Sequence, residues 1–405
     1  MTFLERPVWN FDHHGSRYAQ NWEELVRELH AMDFPLAWSE ANGGYWILGA
    51  WAEAKKALED WEAFSADNDV KHERRGGKGS RIPQHSYPLM LSESDPPFHT
   101  ARRRIEMPFF TPKALREYGP MIDRFMDEAL KGIRAKEEAD MLRDVILPIT
   151  ARATFHLVGY RESWSEVAYS VHLVSHTKET DPDYPIEMIQ RIQAGFRTMV
   201  AERRAEPKDD IASALAQGEV LGQPLSFEEA ESMMTALVFG GFDTTTASVI
   251  NALIWLQDRP EIRRQLLDDP ALLDNAIEEW LRVWPPAQGI GRTVMRDMEI
   301  GGRQLRAGER IFIWFAGANR DPAKFPDPET VQLDRPKASD HLAFSGGGHR
   351  CLGAPLAKIE LRTMIRAVLT RMPDYRIDLD RVTRFPTYGA VAGYLEVPMR
   401  PGAIS

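Results

Sequence analysis

The chain reads as mainly α-helical with a smaller β-rich part, and three observations predict this. Helical hydrophobic periodicity fills roughly residues 97–281 and resumes after residue 352. Short apolar runs closed by glycine, such as Gly44-Tyr-Trp-Ile-Leu-Gly49, read as strands near the N-terminus, with others around Arg303–Trp314 and Gly393–Pro398. The 405 residues, 43% hydrophobic, exceed what one core usually holds, and they contain no internal repeat. We expect one domain over residues 1–405. Its β-rich part draws on about 35–65, 295–315 and 375–400, and its helical part on about 97–290 and 352–372.

Charge and hydropathy exclude some functions. A net charge of −10 argues against a nucleic-acid binder. No uninterrupted apolar run reaches the ~18–20 residues of a membrane span, and the start, Met1-Thr-Phe-Leu-Glu-Arg-Pro, is too polar for a signal segment. A cytoplasmic protein is expected. The stretch Lys71–Gln84, rich in glycine and basic residues, reads as a mobile loop. It is expected to close over a pocket, with Tyr87–Leu91 turned inward.

Next along the chain, Asp95-Pro-Pro-Phe-His99-Thr-Ala-Arg102-Arg103-Arg104 opens a helix after its prolines. His99 and Arg103 stand at i and i+4 on one face. The three arginines spread over about 200°, so they cannot all serve one anion. Arg103 is expected to face inward with His99. Arg102, Arg104 and Arg350 are expected to form a basic surface patch.

The central helix is expected to run unbroken from the Ser226-Phe-Glu-Glu229 capping box to Pro260, about 31 residues or ~46 Å. Its middle, Gly240-Gly241-Phe242-Asp243-Thr244-Thr245, breaks the helix rules. Each glycine costs roughly 1 kcal/mol relative to alanine, and Asp243 puts a charge among apolar neighbours. Either the glycines allow close helix packing with Asp243 in solvent, or they make room for a flat cofactor. In the second case the Thr244 hydroxyl could bond the Gly240 carbonyl and Asp243 could relay protons. An Asp243 carboxylate in such a place needs a basic partner from another helix.

Further on, Glu279 and Arg282 stand at i and i+3 amid Trp280, Leu281, Val283 and Trp284, so their ion pair is expected to be buried, with Arg335 as a third member. Arg292 and His349 join His99 and Arg103 as candidate anion donors.

Cys351 is the only cysteine, in Phe344-Ser-Gly-Gly-Gly-His-Arg-Cys351-Leu-Gly353. A lone cysteine cannot close an intrachain disulfide or build a zinc or iron–sulfur site. It can be an inert buried thiol, a nucleophile, or one thiolate on a metal that brings its other ligands. A helix pattern follows directly (Leu352, Leu356, Ile359), so Cys351 precedes a helix N-terminus, which favours the thiolate. Haem iron with one axial thiolate fits each of these features.

Together these segments resemble the cytochrome P-450 haem-thiolate monooxygenases, in order and over nearly the whole chain. The family's cysteine-loop pattern is met by Phe344, Gly347, His349, Cys351 and Gly353, with Ser345 where a glycine is usual. The family's oxygen-activation motif matches Gly240, Gly241, Asp243, Thr244 and Thr245, and its Glu-x-x-Arg matches Glu279 and Arg282. Its meander arginine matches Arg335, and its propionate-binding positions match His99, Arg103, Arg292 and His349. Lys358 stands where an arginine is common.

The resemblance implies a single haem-binding fold with a long central helix over haem b, ligated by Cys351. It implies Asp243 and Thr244 as the proton-delivery pair, with insertion of one O₂ oxygen into a C–H bond. It also implies a soluble bacterial enzyme whose electrons come from a ferredoxin-type donor with an NAD(P)H-dependent reductase. Pocket walls would include Leu89, Leu237, Val238, Phe242, Ala287, Ile290 and Val391. Those apolar positions suit a terpenoid, steroid or aromatic substrate of modest size. A monomer is presumed. Alternatives are a peroxide-driven hydroxylase of the same fold and a non-catalytic haem-binding sensor or carrier.

Overall fold

The computed structural model describes residues 6–69, 76–84, 87–160, 164–177, 181–182 and 184–404. Its helices in chain order begin with α1 (Ser16–His30), α2 (Trp51–Glu59), α3 (Phe98–Glu106), α4 (Tyr118–Ile133) and α5 (Leu147–Val158). Then follow α6 (Trp164–His176), α7 (Ile186–Ala205), α8 (Ile211–Ala216), α9 (Phe227–Gly241) and α10 (Asp243–Leu256). The series closes with α11 (Pro260–Asp268), α12 (Pro270–Val283), α13 (Phe315–Ala318) and α14 (Ala354–Arg371).

The main sheet takes its strands from distant parts of the chain. These are β1 (Leu36–Ser39), β2 (Tyr45–Leu48), β3 (Phe64–Ser65), β4 (Gly289–Val294) and β5 (Arg310–Trp314), in the order β1-β2-β5-β4-β3. β5 runs parallel to β2 and antiparallel to β4. Because side chains alternate across a strand, Trp46, Leu48, Ile311 and Ile313 fill the core on one face, while Tyr45, Ile47, Phe312 and Trp314 fill the other. Both faces are therefore buried, which explains the continuous apolar runs. A separate, larger core joins α4, α5, α7, α9, α10, α12 and α14.

The central helix differs from its expected form. Ser226 and Glu229 do make both halves of the capping box, but the rod breaks at Phe242 (φ −116°, ψ −41°), dividing α9 from α10. Two side-chain hydroxyls compete for the carbonyls there: Thr244 Oγ1 donates to the Gly240 carbonyl at 3.0 Å and Thr245 Oγ1 to that of Gly241 at 3.5 Å. Pro260 does not end this helix; it opens α11. By length and composition, 227–256 could also cross a membrane, an outcome the count of uninterrupted apolar residues did not foresee, but 67% of its most apolar window is buried inside the protein. It is a core element here.

Candidate active site

A cavity of about 920 Å³ lies between α9 and α10, α14, the Cys351 loop and the β4 entrance. Along α9 and α10 its wall centres on a helical stripe, Leu237, Gly240, Gly241, Thr244, Thr245 and Ser248, spaced at i, i+3, i+4, i+7, i+8 and i+11, with Ala236 and Phe239 reaching it on one flank. This spacing corrects two expected pocket residues. Val238 and Phe242 are fully buried in the helical core and do not reach the cavity. Counted at about 100° per residue from Leu237, Val238 and Phe242 fall at about 100° and 140°, beyond Thr245 at about 80° and on the flank opposite Ala236 and Phe239, so the helix turns them away. Leu89, Leu237, Ala287, Ile290 and Val391 do line it.

The two glycines have different jobs. A Cβ on Gly241 would come 2.6 Å from Thr154 on α5, so this glycine permits close helix contact. A Cβ on Gly240 would meet nothing within 4 Å, because it would project into the cavity. Close helix packing thus accounts for Gly241, and open space on the cavity wall for Gly240.

The cysteine loop is built by local geometry. The Cys351 N–H donates to the Phe344 carbonyl at 2.8 Å and closes the turn. Gly347 has φ +59°, and a Cβ on it would sit 2.3 Å from the Leu58 carbonyl oxygen, so only glycine fits. Ser345 is also left-handed, at φ +57°, and its Oγ is buried without a partner. That explains why glycine would be the easier residue there. Gly353 is the N-cap of α14, with Pro355 in its first turn.

The Cys351 surface that remains open faces this cavity. Burial raises its thiol pKa, outweighing the backbone N–H groups of Gly353 and Ala354 and the charges of Arg103 and Arg350, which lower it. The helix N-terminus thus pulls in the expected direction, and desolvation is the larger effect.

At one end of the cavity four basic side chains converge. His99 and Arg103 come from α3, His349 from the cysteine loop and Arg292 from β4. The His99 and His349 rings are 4.0 Å apart. Arg292, 1% exposed, lies behind the wall; its Nη1 donates to the Gly291 carbonyl, while Nη2 has no partner, nor has His349 Nε2. Burial and then the neighbouring arginines push His99 down to about 4, burial pushes Arg292 down to about 10, and His349 is lowered for the same reasons as His99. Orphaned buried donors and repelling cations describe a place that wants an anion. A flat group with carboxylates at this end and a metal at Cys351 satisfies both requirements, so the residues fit a haem.

Behind the site, Glu279 forms the expected buried knot. Arg282 donates through Nε and Nη2 at 2.7 and 2.8 Å, and Arg335 Nε contacts both carboxylate oxygens at 2.9 and 3.0 Å. The outer nitrogens of the arginines hold the carbonyls of Asn319, Pro326, Asp327, Pro328 and Thr330. Lys358 pairs instead with Glu278 on α12, away from the cavity.

Asp243 is 3% exposed, which excludes the solvent-facing reading. It does not line the cavity. Its Oδ1 meets His172 Nδ1 at 2.9 Å and its Oδ2 accepts from Ser175 Oγ at 2.5 Å. The basic partner from another helix is therefore His172 on α6. Sequence reasoning missed His172 and Ser175, and no local motif marks them. It also missed Glu360, a buried cavity-wall carboxyl on α14 that burial pushes up to about 8.

The expected basic patch loses one member. Arg102 has no exposed surface and pairs with Glu229 at 2.9 Å, because its step on α3 points it into the helical core. Arg104 and Arg350 are exposed. The expected closing loop falls partly on residues 70–75, outside the described residues. Lys78 N donates to Thr293 Oγ1 at 3.0 Å and Gly79 N to the Asp67 carbonyl at 2.7 Å.

The comparisons agree with this geometry. The cytochrome P-450 family model matches residues 173–373. A putative cytochrome P-450, YjiB of Bacillus subtilis, is 30% identical over 363 residues, 87% of each chain. The chain belongs to the cytochrome P-450 family. The mycinamicin IV hydroxylase/epoxidase of Micromonospora griseorubida is 31% identical over 98% of this chain and all of its own. The steroid C26-monooxygenase of Mycobacterium tuberculosis strain H37Rv is 32% identical over 75% of this chain and 77% of its own. Among solved structures, a mutant of the cytochrome P-450 EryK in complex with erythromycin B superposes with a TM-score of 0.84 at 27% identity, covering 95% of this chain and 98% of that one. This cytochrome P-450 is a monooxygenase that uses haem iron.

Proposed function

We propose that the protein inserts one atom of O₂ into a C–H bond of a small to medium hydrophobic molecule, a terpenoid, steroid or aromatic, using haem b. One observation carries this reading. A single cysteine (Cys351), an alcohol (Thr244) and most of an anion cradle (His99, Arg103 and His349) line one mainly apolar cavity, and a buried acid, Asp243, stands just behind its wall. The bound haem supplies the iron that activates O₂. The chain's residues do the rest. His99, Arg103, Arg292 and His349 take the cofactor's carboxylates. Leu237, Ala287, Ile290 and Val391 exclude water and hold the substrate by shape. Thr244 Oγ1, on the wall, offers a hydrogen bond beside the reacting oxygen once it leaves the Gly240 carbonyl. The volume of about 920 Å³ must hold haem and substrate together, which favours compounds of modest size. A steroid-oxidising relative is consistent with that class.

Electrons come from an acidic ferredoxin-type donor, served by an NAD(P)H-dependent reductase and docking on the cysteine side through Arg104 and Arg350 in a cytoplasmic setting. Changing both arginines to glutamate slows reduction at low salt; an unchanged rate removes this docking site.

The decisive experiment is the spectrum of the reduced CO adduct. The wild type shows the thiolate-ligated band and Cys351→His lacks it; a band that survives in the variant ends the reading. Turnover that requires NAD(P)H and redox proteins, and not peroxide alone, distinguishes the proposal from a peroxide-driven hydroxylase, and absence of turnover from a sensor.

A further inference from the structure

The acid of the proton-delivery pair is walled off from the place where protons are used. Asp243 is absent from the cavity wall, whereas Ser175, whose Oγ lies 2.5 Å from Asp243 Oδ2, is on it. His172, on the other carboxylate oxygen at 2.9 Å, is not on the cavity wall either, and its side chain keeps 9% of its surface accessible against 2% for Asp243. The three groups form an unbroken line from outside the cavity to its wall.

We propose that protons enter along His172–Asp243–Ser175, with Ser175 as the group that delivers them into the cavity and His172 as the positioning residue that recharges Asp243. This rests on the monooxygenase reading above.

The geometry supports each link. Ser175 is held over the cavity by its own helix and by the 388–391 hairpin tip: its Oγ is 3.2 Å from the Val171 carbonyl oxygen, and its carbonyl accepts from Ala390 N at 3.1 Å. A Cβ on Gly389 would come 2.8 Å from that carbonyl oxygen, so the hairpin packs directly on Ser175. Among the described residues, the titratable groups around His172 are Asp243 on α10 and His176 one turn along α6, with ring centroids 5.9 Å apart; Phe385 packs against both imidazoles at 5.0 and 4.7 Å. Burial, and then His172, lowers the pKa of His176, whereas His172 is the ring in direct contact with the Asp243 carboxylate.

The proton count closes. Asp243 takes a proton from the His172 imidazolium at Oδ1. The carboxyl turns, its O–H donates to Ser175 Oγ, and Ser175 releases its own hydrogen to a water in the cavity. Asp243 is again a carboxylate, Ser175 again a hydroxyl, and neutral His172 regains a proton from solvent. No electrons move.

The test uses haem-loaded protein that shows the thiolate CO band, as wild type, Ser175→Ala, Ser175→Thr, His172→Gln and Asp243→Asn. Ser175→Ala forms product about tenfold or more slowly, with a raised solvent deuterium isotope effect and an unchanged substrate-induced haem shift; Ser175→Thr restores the rate. His172→Gln flattens the rate profile between about pH 5 and 8. A readout independent of turnover is the NMR titration of the His172 imidazole. It changes in Asp243→Asn, because the ring Nδ1 no longer faces a carboxylate oxygen at 2.9 Å. A wild-type rate and isotope effect in Ser175→Ala overturns the proposal. So does failure of threonine to restore the rate, or a His172 titration that ignores Asp243. Loss of the CO band in the wild type sinks the monooxygenase reading instead, so the two failures are distinguishable.

Discussion

The cysteine side and the acid side of the cavity are built in different ways. Around Cys351 the essential constraints act over a few residues: a Cys351-to-Phe344 backbone bond, a glycine at φ +59° against Leu58, and a helix that starts at Ala354. Around Asp243 they act across the fold. His172 is 71 residues away in sequence and Ser175 is 68. A short-range constraint leaves its mark as residue spacing. A long-range one leaves only an apparently misplaced charge.

The Glu279 knot combines both kinds of constraint, so it offers the severest way to break the cysteine side. Arg282 is three residues from Glu279 and Arg335 is 56 away, and all three side chains are buried. Glu279→Gln leaves two buried arginines without their counter-charge, which costs about 3–5 kcal/mol. The expected outcome is protein that melts far below the wild type and retains little haem, read by thermal melting and by the haem-to-protein absorbance ratio. Wild-type haem content would show that the 319–330 segment held by these arginines keeps its place without the Glu279 charge.

The acid side should fail by a different route, in rate and coupling rather than in stability. Asp243→Asn keeps the shape but removes the ionisable group, so turnover should fall about 10²-fold or more with little change in melting. Thr244→Ala should keep substrate affinity and NAD(P)H consumption while much of the flux leaves as hydrogen peroxide. Product per NAD(P)H and peroxide yield check this pair. Fully coupled turnover in Thr244→Ala would show that the motif is present without its role.

Much of the cysteine side is legible in the residue order itself. The sheet strands, the capping box, the Glu279 knot and the cysteine loop follow from alternation, spacing and turn chemistry. The cavity stripe 237–240–241–244–245–248 is equally open to reading, yet hydrophobicity alone points to Val238 and Phe242; helical phase is the better guide. The same neglect of phase puts Arg102 on the surface, though its 100° offset from Arg103 leads into the core. The break at Phe242 is half readable, since the Thr244-to-Gly240 bond beside it is local; the His172 partner is not, since it depends on packing between helices distant in sequence.

Glu106 sharpens the contrast through pH. Both its carboxylate oxygens are buried without partners, one turn from Arg103 on the cysteine side, and burial pushes it up to about 8. A raised acid favours the neutral form in the fold. The stabilising contribution is full below the unfolded value near 4.5 and is lost as pH rises through about 8. Stability should therefore fall between pH 5 and 9, and Glu106→Gln, neutral throughout, should remove most of the part of that fall that belongs to this carboxyl. Melting curves of both proteins across this range decide it; parallel profiles would mean the carboxyl finds a partner when charged.

The smallest effect lies in the cysteine loop itself. Ser345 occupies a left-handed conformation at φ +57°, and its hydroxyl is buried with no partner. A left-handed non-glycine residue costs roughly 1–2 kcal/mol, and a buried orphan hydroxyl adds to that. Glycine would remove both penalties but would gain freedom in the unfolded chain, offsetting about 0.5–1 kcal/mol. The net expectation for Ser345→Gly is a gain of about 1 kcal/mol, seen as a melting temperature about one degree higher, with the thiolate CO band unmoved. Because the Cys351–Phe344 bond and Gly347 already fix the loop, the gain should stay local and leave the acid side's pH profile untouched. A loss of stability would mean instead that the hydroxyl makes a favourable contact with the haem, and that the serine is part of the cofactor's cradle rather than a tolerated strain.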